Sequence, residues 1–268
     1  MISSQFKSLG ALLVVVLLLA ACQPAVAVTP SGAGSSLTVD AAASLTAAFG
    51  DIGKAFEAAN PGTKVALNFA GSQQLRTQIA QGARVDVFAS ADNKNTDPLK
   101  SQGLVGDPQI FARNRLIVIL PKSNPAGVKA LKDLAKPGVK LDIADASVPV
   151  GNYTLQALDK LAADSAYGAD FRNQVLARVV SKETDVKQVV SKVLLGEADA
   201  GIVYTTDAQA AIDKLTTIDI PDQFNVVAAY PIAVVKSSAK PALAQKFVDY
   251  VLSADGQAIL KKYGFAAR

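Results

Sequence analysis

The sequence predicts an α/β protein with mixed, largely parallel sheets, and three features of the chain carry that reading. From Leu37 onward, apolar runs of strand length alternate with stretches whose apolar residues recur at helical spacing. Gly and Pro punctuate the joins, as at Asn60-Pro61-Gly62 and Pro137-Gly138. Half of the 268 residues are apolar, enough for one large or two ordinary domains with their own cores. No internal repeat and no heptad pattern runs through the chain.

In order, Leu37–Val39 reads as a strand that ends in the small residues Ala41, Ala42 and Ala43. Ser44 follows, and Leu45, Phe49, Ile52 and Phe56 mark the buried face of a helix. Lys64–Phe69 alternates as a strand, runs through Ala70-Gly71-Ser72, and enters a helix with Leu75 and Ile79 inward. Val85–Ala89 is a third strand, followed by a polar, turn-rich segment from Asp92 to Pro98. Arg115–Leu120, closed by Pro121, is the most strand-like run of the chain. A short helix around Leu131 and Leu134 comes next, then a strand at Lys140–Ala144 and a loop from Asp145 to Gly151. A helix is expected from about Asn152 to Ala163. Val179–Ser181 is a short strand. Thr184-Asp185 caps a helix whose Val186, Val189, Val190, Val193 and Leu194 share one face. Ala200–Tyr204, Asn225–Ala228 and Tyr230–Val235 are further strands, and an amphipathic helix closes the chain.

The first thirty-six residues are of another kind. Lys7 precedes an apolar run, Leu9–Ala21, too short to cross a bilayer but suited to a signal peptide over residues 1–21. Leu19-Ala20-Ala21-Cys22 has the form of a lipobox, which makes Cys22 the expected lipidation site and first mature residue. Residues 22–36, without charge or periodicity, read as a flexible tether between a lipid anchor and the folded body.

Composition excludes several classes. A formal charge of +4 without a basic block gives no footprint for nucleic acid. The chain has no histidine, which removes histidine triads, histidine zinc sites and a histidine general base. One cysteine allows no intrachain disulfide. There is no phosphate loop, dinucleotide fingerprint, nucleophile elbow or zinc spacing. Asp86, Asp92 and Asp97 do not have calcium-loop spacing. An exported enzyme therefore has no recognisable nucleophile–base pair.

What remains is a set of helix starts. Ser44 and Ser72 share one context, strand then small residues then serine then helix, and are expected at helix N-caps. Free amides and the positive end of the helix dipole converge there, a neutral donor set for an anion. Both serines should lie at the carboxyl edge of one sheet, where ligands of open α/β sheets bind. Gly71 would allow close backbone approach. After Pro149, which has no N–H, the first available amide is that of Val150. Val186 would present its own N–H, and Tyr204, at a strand end, its hydroxyl.

The motifs Ala41-Ala-Ala-Ser44-Leu45-Thr46, Phe69-Ala-Gly-Ser72, Ala89-Ser90-Ala91-Asp92, Val148-Pro149-Val150-Gly151, Gly201-Ile-Val-Tyr204, Tyr230–Val235 and Tyr263-Gly-Phe265 together resemble the extracytoplasmic molybdate-binding proteins of ABC importers. The resemblance implies the bilobal fold of the type II periplasmic binding proteins. Lobe one would be residues 37–120 plus 230–268, lobe two 121–229, with two crossing strands as hinge. It also implies the ligand shell: the Ser44 and Ser72 hydroxyls with adjacent amides, the Val150 and Val186 amides, and the Tyr204 hydroxyl. Molybdenum would be held only as the oxyanion, with no direct metal ligand and no cofactor. Tungstate is expected to bind as well. The implied setting is the periplasm or outer membrane face, a lipid-anchored monomer that serves a permease and does not catalyse. Gly71 stands where such proteins often carry serine. Sulfate is the alternative solute. Phosphate, which carries a proton, would need an acceptor that the expected shell lacks, and binding should be nearly flat around neutral pH.

Overall fold

The structure is a computed structural model and describes residues 35–268. The expected signal segment, Cys22 and nearly all of the tether lie outside the described residues. Ser35 and Ser36, expected in the tether, already belong to the first strand, paired with Thr63 and Lys64.

The chain runs β1 (Ser35–Ala42), a 3-10 turn (Ala43–Leu45), α1 (Thr46–Ala59), β2 (Thr63–Ala70), α2 (Ser72–Ala80), β3 (Val87–Ala89), α3 (Asn93–Ser101), β4 (Gln109–Asn114) and β5 (Leu116–Pro121). A 3-10 turn (Leu131–Ala135) leads to β6 (Leu141–Ala144), α4 (Pro149–Ala163), α5 (Phe171–Leu176), β7 (Val179–Glu183), α6 (Val186–Leu194), β8 (Ala200–Tyr204) and α7 (Thr205–Gln209). The last elements are β9 (Leu215–Asp219), β10 (Ala228–Val234), α8 (Pro241–Leu252) and α9 (Ala254–Lys262).

These strands form two five-stranded sheets of matching plan, β2-β1-β3-β10-β4 and β7-β6-β8-β5-β9. In each, a central strand pairs in parallel with two neighbours (β1 with β2 and β3; β6 with β7 and β8), and an antiparallel strand extends the sheet. Parallel and antiparallel pairings are therefore even, where the sequence reading expected parallel ones to prevail. The antiparallel strands are those next to the two crossings between sheets, at Arg115 and between β9 and β10.

Leu116–Pro121 pairs with β8 and β9, so this run sits in the second sheet. The chain thus crosses at Arg115, not after Leu120. A run apolar on both faces can be buried in either sheet, and only its partners decide which. The segment from Asp92 to Pro98, expected as a loop, is helical. The Asp92 Oδ1 accepts from the Asn95 amide at 3.0 Å as an N-cap, and Asn95, Thr96 and Leu99 are buried. The α4 helix starts at Pro149, three residues before the expected start, because proline at N1 needs no hydrogen bond and has its φ preset.

Around the first sheet, Phe49 and Phe56 of α1 meet Phe111 and Phe247 edge-on or tilted, at ring-centroid distances of 5.2–6.1 Å. Each of these rings is at most 1% exposed, and full burial of such a side chain contributes about 1.5–3 kcal/mol. In the second sheet, Val186, Val189, Val190 and Val193 of α6 are buried as their spacing predicts, whereas Leu194, expected on the same face, is exposed at the helix end.

Candidate functional site

The carboxyl ends of the parallel strands of both sheets meet at one small cavity. Ser44, Gly71, Ser72 and Ala91 line it from the first sheet, and Val148, Pro149, Asp185 and Val186 from the second. Its volume is about 10 Å³, against roughly 300–1,000 Å³ for sites that hold drug-sized molecules. That is about the space of one water molecule, far too small for an organic substrate.

Ser72 is 1% exposed and Ser44 6%, but neither is an N-cap. The cap of α2 is Gly71, and Ser72 is its first helical residue. The Ser72 Oγ is instead held by the Ala91 amide, which donates to it at 3.1 Å. The Gln74 and Leu75 amides bond back to the Gly71 carbonyl, so the Ser72 and Gln73 amides have no partner within the helix. Ser44 sits in the 3-10 turn before α1, and its Oγ shares a 3.0 Å hydrogen bond with the Tyr230 hydroxyl. Both serines thus spend their local bonding on distant residues, because a tighter start to each helix leaves the side chain free of the backbone.

On the second side, Asp185 caps α6 by accepting from the Lys187 and Gln188 amides at 2.8 and 3.2 Å. The Val186 amide, one position earlier, is left facing the cavity side. The Asp185 Oδ2 accepts from Gln188 Nε2 at 2.7 Å, which occupies the carboxylate that borders the cavity. In α4 the first amide bonded within the helix is that of Asn152, to Val148 O at 2.9 Å. This leaves the Val150 amide without a helical acceptor. Val150 itself does not line the cavity, although Val148 and Pro149 beside it do.

Tyr204 does not line the cavity either. It is 1% exposed, and its hydroxyl has no hydrogen-bond partner among the described residues. Its ring meets that of Tyr230 edge-on at 5.7 Å. Burial pushes the Tyr204 phenol well above its ordinary range, reinforced by Tyr230, Tyr153 and Asp92 nearby. It therefore remains a hydrogen-bond donor. Asp92 is also buried, with Oδ2 unpartnered among the described residues, and burial raises its carboxyl against the Asn95 bonds that lower it.

The two sides touch at Gly71. A Cβ there would lie 2.4 Å from the Thr184 carbonyl oxygen, so only glycine permits this approach. Gln73 Nε2 donates to the same carbonyl at 2.8 Å. The serine expected at this position in similar proteins would not fit the arrangement.

No cation reaches the cavity lining. The nearest in sequence, Lys187, is paired at 2.7 Å with the fully buried Asp207, whose carboxyl burial raises and Lys187 lowers. Among the described residues no group of three potential ligands could hold a metal ion. What the lining offers an anion is therefore oriented amides and hydroxyls, each helix start acting as roughly half a positive charge.

The sequence reading missed the Ala91 amide, Asn114 and the role of Tyr230. The bond from Ala91 leaves no mark in residue type, since any residue but proline supplies an amide.

The profile of the bacterial extracellular solute-binding proteins matches residues 37–266. The chain belongs to that family. It is 40% identical over 238 residues to the molybdate-binding protein ModA of Mycobacterium tuberculosis, covering 88% of this chain and 87% of the relative. Among solved structures it is similar to the periplasmic molybdate-binding protein of Azotobacter vinelandii, with a TM-score of 0.75 and 25% identity over 87% of this chain and 99% of that one. The sulfate-binding protein SubI of M. tuberculosis has a TM-score of 0.79 at 19% identity, covering 87% of each chain, a likeness of fold alone. Both the α/β class and the two-sheet architecture agree with this membership.

Proposed function

We propose that this family member binds molybdate outside the cytoplasm, in the cavity between its two sheets, and delivers it to an ABC transporter permease. The observation that carries the reading is the polarity of the lining. The Ser72 oxygen accepts from the Ala91 amide, and the proton of its hydroxyl is free to be donated to a ligand. The helix-start amides and the Tyr204 hydroxyl are also donors. Apart from the Asp185 carboxylate, which is bonded to the Lys187 and Gln188 amides and the Gln188 side chain, these groups are donors, which suits a fully deprotonated tetrahedral dianion, whose every oxygen accepts. The relationship to molybdate-binding proteins supports molybdate as the solute.

On this reading Ser44, Ser72, the Val150 and Val186 amides and the Tyr204 hydroxyl form the shell. Val150 and Tyr204, set back from the cavity, reach the ion when the two sides settle around it. Lobe one comprises 35–114 plus 228–268 and lobe two the intervening residues, with the crossings as hinge. No step is catalysed and no cofactor is needed. Cys22 anchors a monomer to the outer face of the membrane. Tungstate, close to molybdate in size and charge, binds as well.

Sulfate is the second reading, favoured by a donor set that sulfate also satisfies. A thermal-shift panel with molybdate, tungstate, sulfate and phosphate separates the two. Ligand at a hundred times its Kd stabilises by about 2.7 kcal/mol. Shifts with molybdate and tungstate alone are expected. A shift with sulfate and none with molybdate would overturn the assignment.

A further inference from the structure

Asn114 ends β4 at the crossing between the two sheets and is 2% exposed. Its Oδ1 accepts from the Arg115 amide and from the Thr205 hydroxyl, both at 2.9 Å. A backbone N–H can only donate, so the oxygen of the side-chain amide must face that way. Its Nδ2 then faces Thr206 Oγ1 at 2.8 Å and the Tyr230 hydroxyl at 3.4 Å, donating to both. Tyr230 carries one hydroxyl hydrogen. With Asn114 donating to its oxygen, the arrangement in which that hydrogen points to the Ser44 Oγ at 3.0 Å links all three residues in one direction. In it Ser44 is an acceptor within the protein and keeps its own proton for the cavity.

The ring that carries this hydroxyl is held on three sides. Phe111, Tyr204 and Phe265 meet Tyr230 edge-on, with centroids 5.5–6.1 Å away. Burial pushes the Tyr230 phenol well up, so it does not ionise and break the chain of donors. Asn114 in turn is tied to Thr205 and Thr206, the residues directly after Tyr204.

We propose that Asn114 and Tyr230 are positioning residues for the binding site: a hydrogen-bond chain from the inter-sheet crossing holds the Ser44 hydroxyl and aims its proton toward the ligand. This rests on the reading of the cavity as an oxyanion site. The consequence is selectivity against anions that carry a proton. A serine free to rotate turns a lone pair toward hydrogen phosphate as readily as its proton, whereas one held by Tyr230 has its proton aimed at the ligand.

The test is calorimetric titration of the full mature chain with molybdate and with phosphate near neutral pH. The variants are Tyr230→Phe, Asn114→Ala, Ser44→Ala and the double variant Tyr230→Phe/Ser44→Ala, each checked for fold by its thermal midpoint. Tyr230→Phe keeps the ring and its packing, so it remains informative where Asn114→Ala fails to fold. The expected result is a loss of molybdate affinity of about 3- to 10-fold in Tyr230→Phe, with a narrower molybdate-to-phosphate ratio. In the Ser44→Ala background the same change should cost nothing further, because residues that act through one another are not additive. Wild-type affinity in Tyr230→Phe, or a loss that adds in full to that of Ser44→Ala, overturns the positioning role and leaves the oxyanion site standing. Wild-type affinity in Ser44→Ala overturns the site and the relay together.

Discussion

The two sides of the cavity are built from the same strand plan but prepared differently. On the first-sheet side each serine hydroxyl is already held by a partner outside its own helix, Ser72 by the Ala91 amide and Ser44 by Tyr230. On the second-sheet side Asp185 takes two amides of α6 and leaves that of Val186, while the Tyr204 hydroxyl has no partner among the described residues. One half has its serine oxygens finished by bonds within the protein; the other has a buried tyrosine hydroxyl without a partner among the described residues. A buried group without a partner costs about 1–3 kcal/mol.

The largest effect should come from breaking the finished half. Ser72→Ala removes a hydroxyl whose hydrogen bond to a charged ligand is worth roughly 1.5–3 kcal/mol, about tenfold or more in Kd, and titration calorimetry reads it. Next is the contact between the sides. Gly71→Ala places a Cβ against the Thr184 carbonyl and should hold the cleft open. Molybdate affinity then falls by about tenfold, with little change in the ligand-free thermal midpoint.

Tyr204→Phe sharpens the contrast because its two effects have opposite signs. Removing an unpartnered buried hydroxyl should leave the ligand-free protein as stable as before or slightly more so, while the molybdate-induced thermal shift shrinks. Loss of ligand-free stability by about 1 kcal/mol or more would mean that this hydroxyl is already satisfied.

The smallest effect lies away from the cavity but still on the second side. Asp142 of β6 is fully buried, with neither carboxylate oxygen partnered among the described residues. Burial, then the neighbouring Glu183, raises its carboxyl from 3.8 to about 7, against Lys192. Between those values the folded state keeps a proton that the unfolded state has lost, so stability falls as pH rises through the window. Asp142→Asn should flatten that dependence and raise the thermal midpoint on the alkaline side, read from melting curves across pH. An unchanged slope would place the titration elsewhere.

Much of this was legible in the residues. The apolar spacing in α1 and α6 and the capping aspartate of α6 gave those helices and the burial of their faces. Ser44, Ser72 and Val186 could be picked out because the strand–small–serine and Thr-Asp patterns mark helix starts, and those three meet at the cavity. The placement of Leu116–Pro121 was not legible, since an apolar run carries no label for which sheet accepts it. Nor was α3, where a buried aspartate cap outweighs a polar, proline-containing segment. Tyr230 was visible only as a residue within a motif. Its partner Ser44 lies 186 positions away, and no local pattern encodes a contact at that separation.

The central claim is that a cavity of neutral donors between the two sheets binds one compact, fully deprotonated oxyanion. Titration calorimetry of the mature chain with molybdate, in parallel for wild type and Ser72→Ala, tests it most directly. The account predicts one ion per wild-type chain and about tenfold or more weaker binding in the variant, with the fold intact. Equal affinity in both proteins, or no molybdate binding by the wild type, would contradict it.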